Sequence, residues 1–438
     1  MSKRVALHNL GCKVNAYELD KIAGNLKAKG YEIVPFSSGA DAYVVNTCTV
    51  THIADRKSRQ MLHRAKKNHP EALVVAIGCY VDTDPAGVAM DPSIDLALSN
   101  SEKEGLPEVL DTYFGFTADS GKNRAAGVCD PVSLYRSRTR AYVKVQDGCN
   151  LFCSYCVIPY ARGRSRSFSR EQIMEEVRML ASDGVREVVL TGIHLSSFGL
   201  DDSGEKDRKN ALARLVHDID QTEGIGRIRL GSLEPRMVTE RLVDALASAK
   251  KLCPHFHLSL QSGCDSVLKR MRRRYTTEDF AKSVALLRNA FDNPALTSDL
   301  ITGFPGESER EFEECRRFVD AMDFYETHVF PFSARKGTAA FDMEGQLSAA
   351  EKAARSDILI RLSNEKALRY RTRFLNSDVN VLFEERAMIA KKKCIVGHTE
   401  RYIRVACGPG EASSGEIKTV RPSLFLDQET LFARPERS

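Results

Sequence analysis

Short apolar runs alternate with amphipathic stretches along the first part of the chain. The runs VALHNLG, YVVNTC and LVVAIGC have the continuous apolar character of buried parallel strands, and intervening stretches such as NAYELDKIAGNLKAKG repeat apolar residues at helical spacing. Strands that alternate with helices are typical of βαβ units. The pattern predicts an α/β domain with a parallel sheet over residues 1–125.

Six further strand-like runs follow over residues 135–370. They are AYVKVQDG, EVVLTGIH, RIRLGSL, HFHLSLQSG, ALTSDLITGF and YETHVFPFS. Amphipathic helical stretches separate these runs, so each strand is expected to be followed by a crossover helix. Six such units predict a partial (β/α)6 barrel, whose chemistry is expected at the C-terminal ends of the strands.

A long helical segment leads into a different pattern over residues 371–438. The runs VNVLFEER, KKKCIVGHT, RYIRVAC and GEIKTVRP are short, β-rich and broken by Gly, Asn and Pro. They predict a small all-β barrel with antiparallel strands. The predicted fold class is therefore α/β with an all-β domain at the C-terminus.

Composition places few limits on the protein beyond its class. The chain has 438 residues, and its hydrophobic content of 42% is enough for two or three domains with cores of their own. We expect no membrane partner and no export, because neither the N-terminus nor any later segment has an apolar run of the necessary length. A chain of this size does not need disulfides, and its main cysteines stand in ligand-like contexts. These features predict a cytoplasmic protein.

The net charge of +5 is small, but the charge is unevenly distributed. Residues 131–170 contain eight Arg or Lys and one acid, Asp147, whereas residues 371–438 contain 12 basic and 9 acidic side chains. Basic side chains in these two segments are candidates for contacts with RNA phosphates: Arg162, Arg164, Arg166, Lys391, Lys392 and Lys393. The alternatives are that the arginines line a cofactor pocket and that the lysines form a solvated strand edge.

Cys149, Cys153 and Cys156 form a CxxxCxxC motif directly after the first strand of the predicted barrel. Three thiolates can hold three irons of a 4Fe–4S cluster and leave the fourth iron open to another ligand. Zinc and inert core thiols are the alternatives, but zinc usually takes four ligands and no partner pair of cysteines or histidines follows. The motif favours an iron–sulfur cluster.

A second set of cysteines follows the strands of the first domain. Cys12, Cys48 and Cys79 each stand just after one of its three apolar runs. Because the carboxyl ends of parallel strands meet at one edge of a sheet, we expect the three thiols to converge. A single cysteine in such a place is more often a small core side chain, but three of them together predict a second cluster with an open iron.

Several motifs are similar to those of one protein family. They are GCKVN at Cys12, NTCTVTHIADRKSRQ at Cys48, GCY at Cys79, CNLFCSYCVIPYARGRSRS, LSLQSGCD and SDLITGFPGE. With the final barrel, which resembles the RNA-binding TRAM domain, they resemble the radical S-adenosylmethionine (SAM) methylthiotransferases over nearly the whole chain. TVT after Cys48 and the spelling GCKVN resemble the branch that modifies N6-threonylcarbamoyladenosine next to the anticodon of tRNA.

The resemblance implies SAM and two 4Fe–4S clusters as cofactors. Electron transfer to SAM would produce a deoxyadenosyl radical that removes hydrogen from C2 of the adenine at position 37, and the second cluster would carry the sulfur. Candidates for SAM contacts are a tyrosine of the cysteine loop and polar or glycine residues at strand ends: Tyr155, Thr191, Gly192, Ser232, Glu234, Gln261, Asp299 and Gly303. An ordinary turn is the alternative for each of these positions.

The implied partners are a tRNA anticodon loop, an electron donor and a sulfur source, and the sequence identifies neither of the last two. A single-stranded loop suits the chemistry because the target base must be unstacked. Other branches of the family act on isopentenyl-modified adenosine or on an aspartate of a ribosomal protein. Two further alternatives are a non-catalytic iron–sulfur protein that binds RNA or senses iron, and a radical SAM enzyme that inserts sulfur without methyl transfer.

Overall fold

The computed structural model describes residues 2–116, 139–201 and 208–434. The described residues form two compact units. The first contains residues 2–116 with two later segments, Gln146–Arg166 and Ser333–Phe341, and the second contains the remainder. The predicted boundary between residues 125 and 135 lies outside the described residues, so the division into the ranges 1–125, 135–370 and 371–438 stays a prediction.

The first unit is built on a parallel sheet, as the apolar pattern predicts. Its strands and helices are, in chain order, β1 (Arg4–Asn9), α1 (Lys13–Ala28), β2 (Glu32–Val34), β3 (Ala42–Thr47), α2 (His52–Asn68), β4 (Leu73–Gly78), α3 (Cys79–Thr83), α4 (Pro85–Met90), β5 (Leu96–Leu98) and α5 (Leu106–Tyr113). The sheet order is β2-β1-β3-β4-β5. Every residue of β3 and β4 is buried, which explains their continuous apolar runs.

The CxxxCxxC motif lies in a loop of the first unit. Strand β6 (Arg140–Asp147) leads into the cysteine loop, which contains α6 (Ile158–Arg162) and ends at β7 (Arg166–Ser167). Gly148 begins the loop with a φ of 69°, and a Cβ at this position would lie 2.1 Å from the carbonyl oxygen of Arg164. Only glycine allows the two ends of the loop to approach so closely.

The second unit contains the predicted β/α repeats. Its elements before the final domain are α7 (Arg170–Ser182), β8 (Glu187–Gly192), α8 (Ala211–Asp220), β9 (Arg227–Leu230), β10 (Ser232–Leu233), α9 (Glu240–Ala247), β11 (His255–Gln261), α10 (Asp265–Arg270), α11 (Thr277–Ala290), β12 (Ala295–Thr302), α12 (Glu309–Met322), β13 (Glu326–Pro331) and α13 (Ala349–Thr372). The strands form two four-stranded sheets, β7-β6-β8-β9 and β10-β11-β12-β13. The predicted run RIRLGSL supplies a strand to each sheet, because it divides at Gly231 into β9 and β10.

The chain ends in a closed β-barrel. Its strands are β14 (Val379–Ile389), β15 (Lys392–Thr399), β16 (Arg404–Cys407), β17 (Ile417–Phe425) and β18 (Thr430–Arg434), in the order β14-β15-β16-β18-β17. Neighbouring strands of this barrel pair in antiparallel fashion except β16 and β18, which are parallel. Val381, Phe383 and Val405 are fully buried in its core. The predicted fold class, a mixed α/β chain with a final small barrel, is confirmed.

Buried charges join the final barrel to the β/α repeats. Glu187 on β8 is fully buried, and its Oε1 accepts hydrogen bonds from Arg140 at 2.7 Å and Arg229 at 2.9 Å. Arg229 also donates to the carbonyl oxygen of Glu400, and Arg227 donates to those of two residues of β14 and β15. Burial alone raises the pKa of Glu187, but the arginines lower it to about 2. Among the described helices, none combines the length and apolar character needed to cross a bilayer.

Candidate active site

The thiols of Cys12, Cys48 and Cys79 come together at one edge of the first sheet. Cys48 and Cys79 directly follow β3 and β4, which are neighbours in the sheet, and Cys12 lies between β1 and α1. Burial is the main cause that raises the pKa of Cys12 and Cys48, and the nearby Cys79 raises both further. The structure therefore brings this set together, as its place after three parallel strands predicts.

Two buried asparagines fix the backbone around these thiols. The Nδ2 atom of Asn15 donates to Asn46 Oδ1 at 3.2 Å and to the carbonyl oxygen of Thr47 at 3.0 Å, and Asn46 Nδ2 donates in return to the carbonyl oxygen of Asn15. The thiol of Cys12 donates to Asn15 Oδ1 at 3.4 Å. Because these bonds link α1 to the end of β3, they set the distance between Cys12 and Cys48.

The CxxxCxxC loop is held by its own backbone and by Gln146. The amide of Cys149 donates to the carbonyl oxygen of Gly163 at 3.1 Å, and the amide of Cys156 donates to that of Cys153 at 3.0 Å. Gln146 Nε2 donates to the carbonyl oxygens of Asp147 and Gly148. Cys149 is buried, whereas Cys153 and Cys156 are partly exposed. These hydrogen bonds fix the backbone that carries the three cysteines.

Arg162 has a different place from the one expected. It was a candidate RNA contact, but only 4% of it is exposed. Its guanidinium donates to Asn15 Oδ1 at 2.6 Å, to both carboxylate oxygens of Glu18, and to Asp147 Oδ1 at 3.2 Å. The side chain therefore has no surface to offer a phosphate, and the expectation is corrected: Arg162 joins the cysteine loop to α1.

The charge of Arg162 acts on the N-terminal thiols. Although Cys12 is exposed by its accessible area, the surrounding protein desolvates its thiol and raises its pKa, while Arg162 opposes this effect. Asn100 adds a second link, because its Nδ2 donates to Cys79 Sγ at 3.5 Å and to the carbonyl oxygen of Ala161 at 3.0 Å. Arg162 and Asn100 thus connect α6, the helix of the cysteine loop, to the surroundings of Cys12 and Cys79.

Among the described residues, the six cysteines of the two sets form no disulfide and could hold a metal centre. Within the described part of the chain, the group whose ligand atoms are close enough for one ion contains no cysteine. Burial raises the pKa of Cys48 to about 11, so this thiol keeps its proton at neutral pH until a metal displaces it. Each set supplies three sulfurs, which is the pattern that an open-iron cluster needs.

The residues predicted to contact SAM lie mostly at the carboxyl ends of strands in the second unit. Gly192 and Gln261 end β8 and β11, Ser232 begins the two-residue β10, and Glu234 follows it. Thr191 and Gly303 are buried beside their strand ends, and Asp299 lies within β12 rather than at its end. Tyr155 belongs to the first unit and is partly exposed. Their contact with SAM stays a prediction.

The remaining basic candidates are exposed. Arg164 lies with its guanidinium 4.8 Å from the centre of the Phe152 ring, and Arg166 pairs with Asp147 at 2.8 Å. Lys391 lies in the turn between β14 and β15, and Lys392 and Lys393 begin β15. These five side chains remain available for RNA contacts.

Three polar groups near the site are not evident from the sequence. His194 Nε2 lies 2.8 Å from Glu234 Oε2 and so orients a predicted SAM contact. Arg335 pairs with Asp55 at 2.6 Å and donates to Thr49 Oγ1, next to Cys48. His257, Asp299 and His328 form the third group. Their strands are far apart in sequence, and only the register of the sheet brings them together.

Comparisons with known proteins agree with this geometry. Residues 143–319 match the radical SAM superfamily, and residues 4–99 match an uncharacterized protein family, UPF0004. The chain is 39% identical to the threonylcarbamoyladenosine tRNA methylthiotransferase MtaB of Bacillus subtilis, over 95% of this chain and 93% of the relative. It is 30% identical to a tRNA-2-methylthio-N(6)-dimethylallyladenosine synthase of Carboxydothermus hydrogenoformans, over 94% of each protein.

A solved structure supports the fold. The radical SAM methyltransferase TsrM of Kitasatospora setae superposes with a TM-score of 0.56 at 19% identity, covering 78% of this chain and 77% of that one. This likeness concerns the fold alone. From the identities and coverage of the sequence relatives, the chain belongs to the radical SAM methylthiotransferase family, in the branch named for threonylcarbamoyladenosine in tRNA.

Proposed function

We propose that this protein adds a methylthio group to C2 of N6-threonylcarbamoyladenosine at position 37 of tRNA. The observation that carries the proposal is that two sets of three cysteines lie in one compact unit. The CxxxCxxC set follows β6, and the other set follows the parallel strands β1, β3 and β4. The combination suits an enzyme that needs two separate iron sites.

When bound, two 4Fe–4S clusters would supply the electron that cleaves SAM and a carrier for the transferred sulfur. Cys149, Cys153 and Cys156 would hold the first cluster. The second would be held by Cys12, Cys48 and Cys79. The task of the chain is to hold these thiols, bind SAM and exclude water.

The side chains around the thiols serve this task. Arg162 places a permanent positive charge near Cys12, which lowers the pKa of this thiol and so favours its thiolate form. Asn100 donates to the sulfur of Cys79 and to the carbonyl oxygen of Ala161, so it links α6 to the end of β4. Because Arg162 ends α6 and Asn100 donates to Ala161 in α6, the helix of the CxxxCxxC loop is joined to the residues around Cys12 and Cys79.

Binding of SAM is assigned to the strand ends of the second unit. Thr191, Ser232, Glu234 and Gln261 offer polar groups there, as the amino acid and ribose parts of SAM require. Glu234 is preorganised, because its backbone amide donates to Ser196 Oγ at 2.8 Å and its carboxylate lies 2.8 Å from His194 Nε2. An electron donor and a sulfur source must act with the protein in the cytoplasm, where tRNA is modified.

Nucleoside mass spectrometry of tRNA tests the proposal. In cells that lack the gene, the methylthio derivative of N6-threonylcarbamoyladenosine should disappear and its precursor accumulate, and the wild-type gene should restore it. A gene with Cys149, Cys153 and Cys156 replaced by alanine should not restore it. Replacement of Cys253, a buried thiol outside both sets, is the matched control and should restore the product.

Three other results would each replace the proposed function with a different one. Loss of the methylthio derivative of isopentenyladenosine in place of the threonylcarbamoyl one would place the protein in the branch of its second relative. A product heavier by sulfur alone would indicate sulfur insertion without methyl transfer. Unchanged tRNA together with no SAM cleavage by the reduced protein would favour a non-catalytic iron–sulfur protein.

A further inference from the structure

One face of the sheet β10-β11-β12-β13 is only partly covered. Along β11 the side chains alternate: Phe256, Leu258 and Leu260 are fully buried, whereas His257 and Gln261 are partly exposed. The buried face packs towards the helices, as the contact of Phe256 with Phe291 after α11 shows. The other face is therefore a surface on which a ligand can lie.

Three ionisable side chains meet on this uncovered face. Asp299 and His328 are partners in the register of β12 and β13, and His257 comes from β11. One nitrogen or oxygen of each lies within 4.8 Å of the others. His257 Nε2 is 3.2 Å from Asp299 Oδ2, and the rings of His257 and His328 are 5.9 Å apart.

His257 is held in position by the side chains of β12. Thr297 Oγ1 lies 3.0 Å from His257 Nδ1 and fixes the orientation of the ring. The Nε2 atom of His257 is buried and makes no hydrogen bond of good geometry in the described structure. The nearest acceptor is Asp299 Oδ2 at 3.2 Å, so His257 holds this carboxylate in place on the sheet.

An aromatic ring stands beside this polar group. Phe330 lies two residues after His328, so both side chains project from the same face of β13. Its exposed fraction of 44% is high for a phenylalanine in a strand. An exposed ring next to charged groups suits a ligand that has a planar base and a polar substituent.

We propose that this face recognises the threonylcarbamoyl group of the target nucleoside. His328 donates to its carboxylate, Asp299, oriented by His257, accepts from its hydroxyl or ureido N–H, and the ring of Phe330 stacks on the base. This inference rests on the proposed function and deepens it, because an isopentenyl group offers none of these polar atoms. A site that hydrogen-bonds a polar group rejects an analogue that lacks it.

A divalent metal ion is the competing occupant, since two histidines and one carboxylate can bind one. The position of Phe330 favours the nucleoside: a metal ion does not need an adjacent exposed ring, whereas a base does. His328 is also exposed on the edge strand of the sheet rather than enclosed.

The test compares RNA binding by the full-length, cluster-loaded protein. The probes are anticodon stem-loops that carry threonylcarbamoyladenosine, its methyl ester, isopentenyladenosine or unmodified adenosine. Wild type should prefer the first RNA, and His328→Ala and Asp299→Asn should weaken its binding by roughly 10- to 100-fold, to the level of the unmodified RNA. His328→Gln, which keeps a donor, should recover part of the preference.

His217→Ala is the matched control, because His217 is exposed on α8, away from this face. The proposal is overturned if His328→Ala and Asp299→Asn keep the wild-type preference. It is also overturned if they raise the dissociation constant for SAM instead, or if Co²⁺ binds to the three side chains without competing with the RNA. A wild type that modifies only the isopentenyl RNA would refute the proposed function itself.

Discussion

At the scale of single residues, Arg162 shows how burial changes the role of a charged side chain. It interacts with Glu18 and Asp147, and Glu18 is also paired with Lys103 at 2.5 Å. All four side chains are almost fully buried. Removing one charge from such a buried group leaves its partners without compensation, which lowers the stability of the fold.

Replacing Arg162 by glutamine should therefore destabilise the protein strongly. The change leaves Glu18 and Asp147 with less positive charge in a buried site, which costs about 3–5 kcal/mol of unfolding free energy. Denaturant unfolding under anaerobic conditions measures this cost. Arg164→Gln is the control, because Arg164 is exposed and should change stability by less than about 0.5 kcal/mol. Equal stability of both variants would show that Arg162 is not a structural link.

The two cysteine sets can be separated by iron content. Reconstituted wild-type protein should bind about eight irons per chain, and replacing either set by alanine should reduce this to about four. Loss of Cys149, Cys153 and Cys156 should also abolish SAM cleavage, whereas loss of Cys12, Cys48 and Cys79 should prevent only the methylthio product. A wild-type plateau near four irons would contradict the second cluster.

At the scale of secondary-structure elements, the buried layer around Glu187 links β6, β8 and β9 to the final barrel. The final barrel contributes backbone carbonyl oxygens that accept from Arg227 and Arg229. Truncation after α13 would remove these acceptors and leave buried arginines without them. Substitutions on the barrel surface therefore test its function more cleanly than deletion does.

The same layer predicts a dependence of stability on pH. The pKa of Glu187 falls from 4.5 to about 2 on folding, so its stabilising effect is present above pH 4.5 and is lost as the pH falls towards 2. The loss amounts to about 3 kcal/mol. Glu187→Gln should be less stable at pH 6 and should lack this part of the acid dependence, as measured by denaturant unfolding. Glu171→Gln, an exposed change on α7, should keep the wild-type profile.

Lys391 before β15 and the first two residues of β15, Lys392 and Lys393, form an exposed basic segment of the final barrel. Changing Lys391, Lys392 and Lys393 to glutamate should weaken tRNA binding, and the slope of log affinity against log salt should fall by about two if all three contact phosphates. Filter binding at several salt concentrations measures both quantities. Lys250, Lys282 and Arg317, changed together, give an equal charge reversal on exposed positions elsewhere. An effect no larger than theirs would exclude this segment from the RNA contact.

At the scale of the whole molecule, the parts predicted well are those set by local pattern. The continuous apolar runs of β3 and β4 and the alternation along β11 determine strand and face without reference to distant residues. The place of Cys48 and Cys79 follows from the same pattern, because carboxyl ends of parallel strands share an edge. Fold class and thiol convergence could therefore be inferred from sequence.

What could not be inferred depends on pairing between distant segments. The sequence around Arg162 is basic and predicts a surface, but its acidic partners Glu18 and Asp147 are 144 and 15 residues away. His257 and His328 become neighbours only through the register of β11, β12 and β13. Single-sequence patterns contain no information about such pairings.

The composition of the first unit has a consequence for biosynthesis. Because this unit includes residues 146–166 and 333–341, its fold is incomplete until the ribosome has made most of the chain. The sheet and its three thiols emerge first, long before the segment that carries Arg335 can pair with Asp55. Contacts of such wide sequence separation form slowly. Delivery of iron and sulfide is therefore expected to follow synthesis. Until the clusters are assembled, the thiols need a reducing environment.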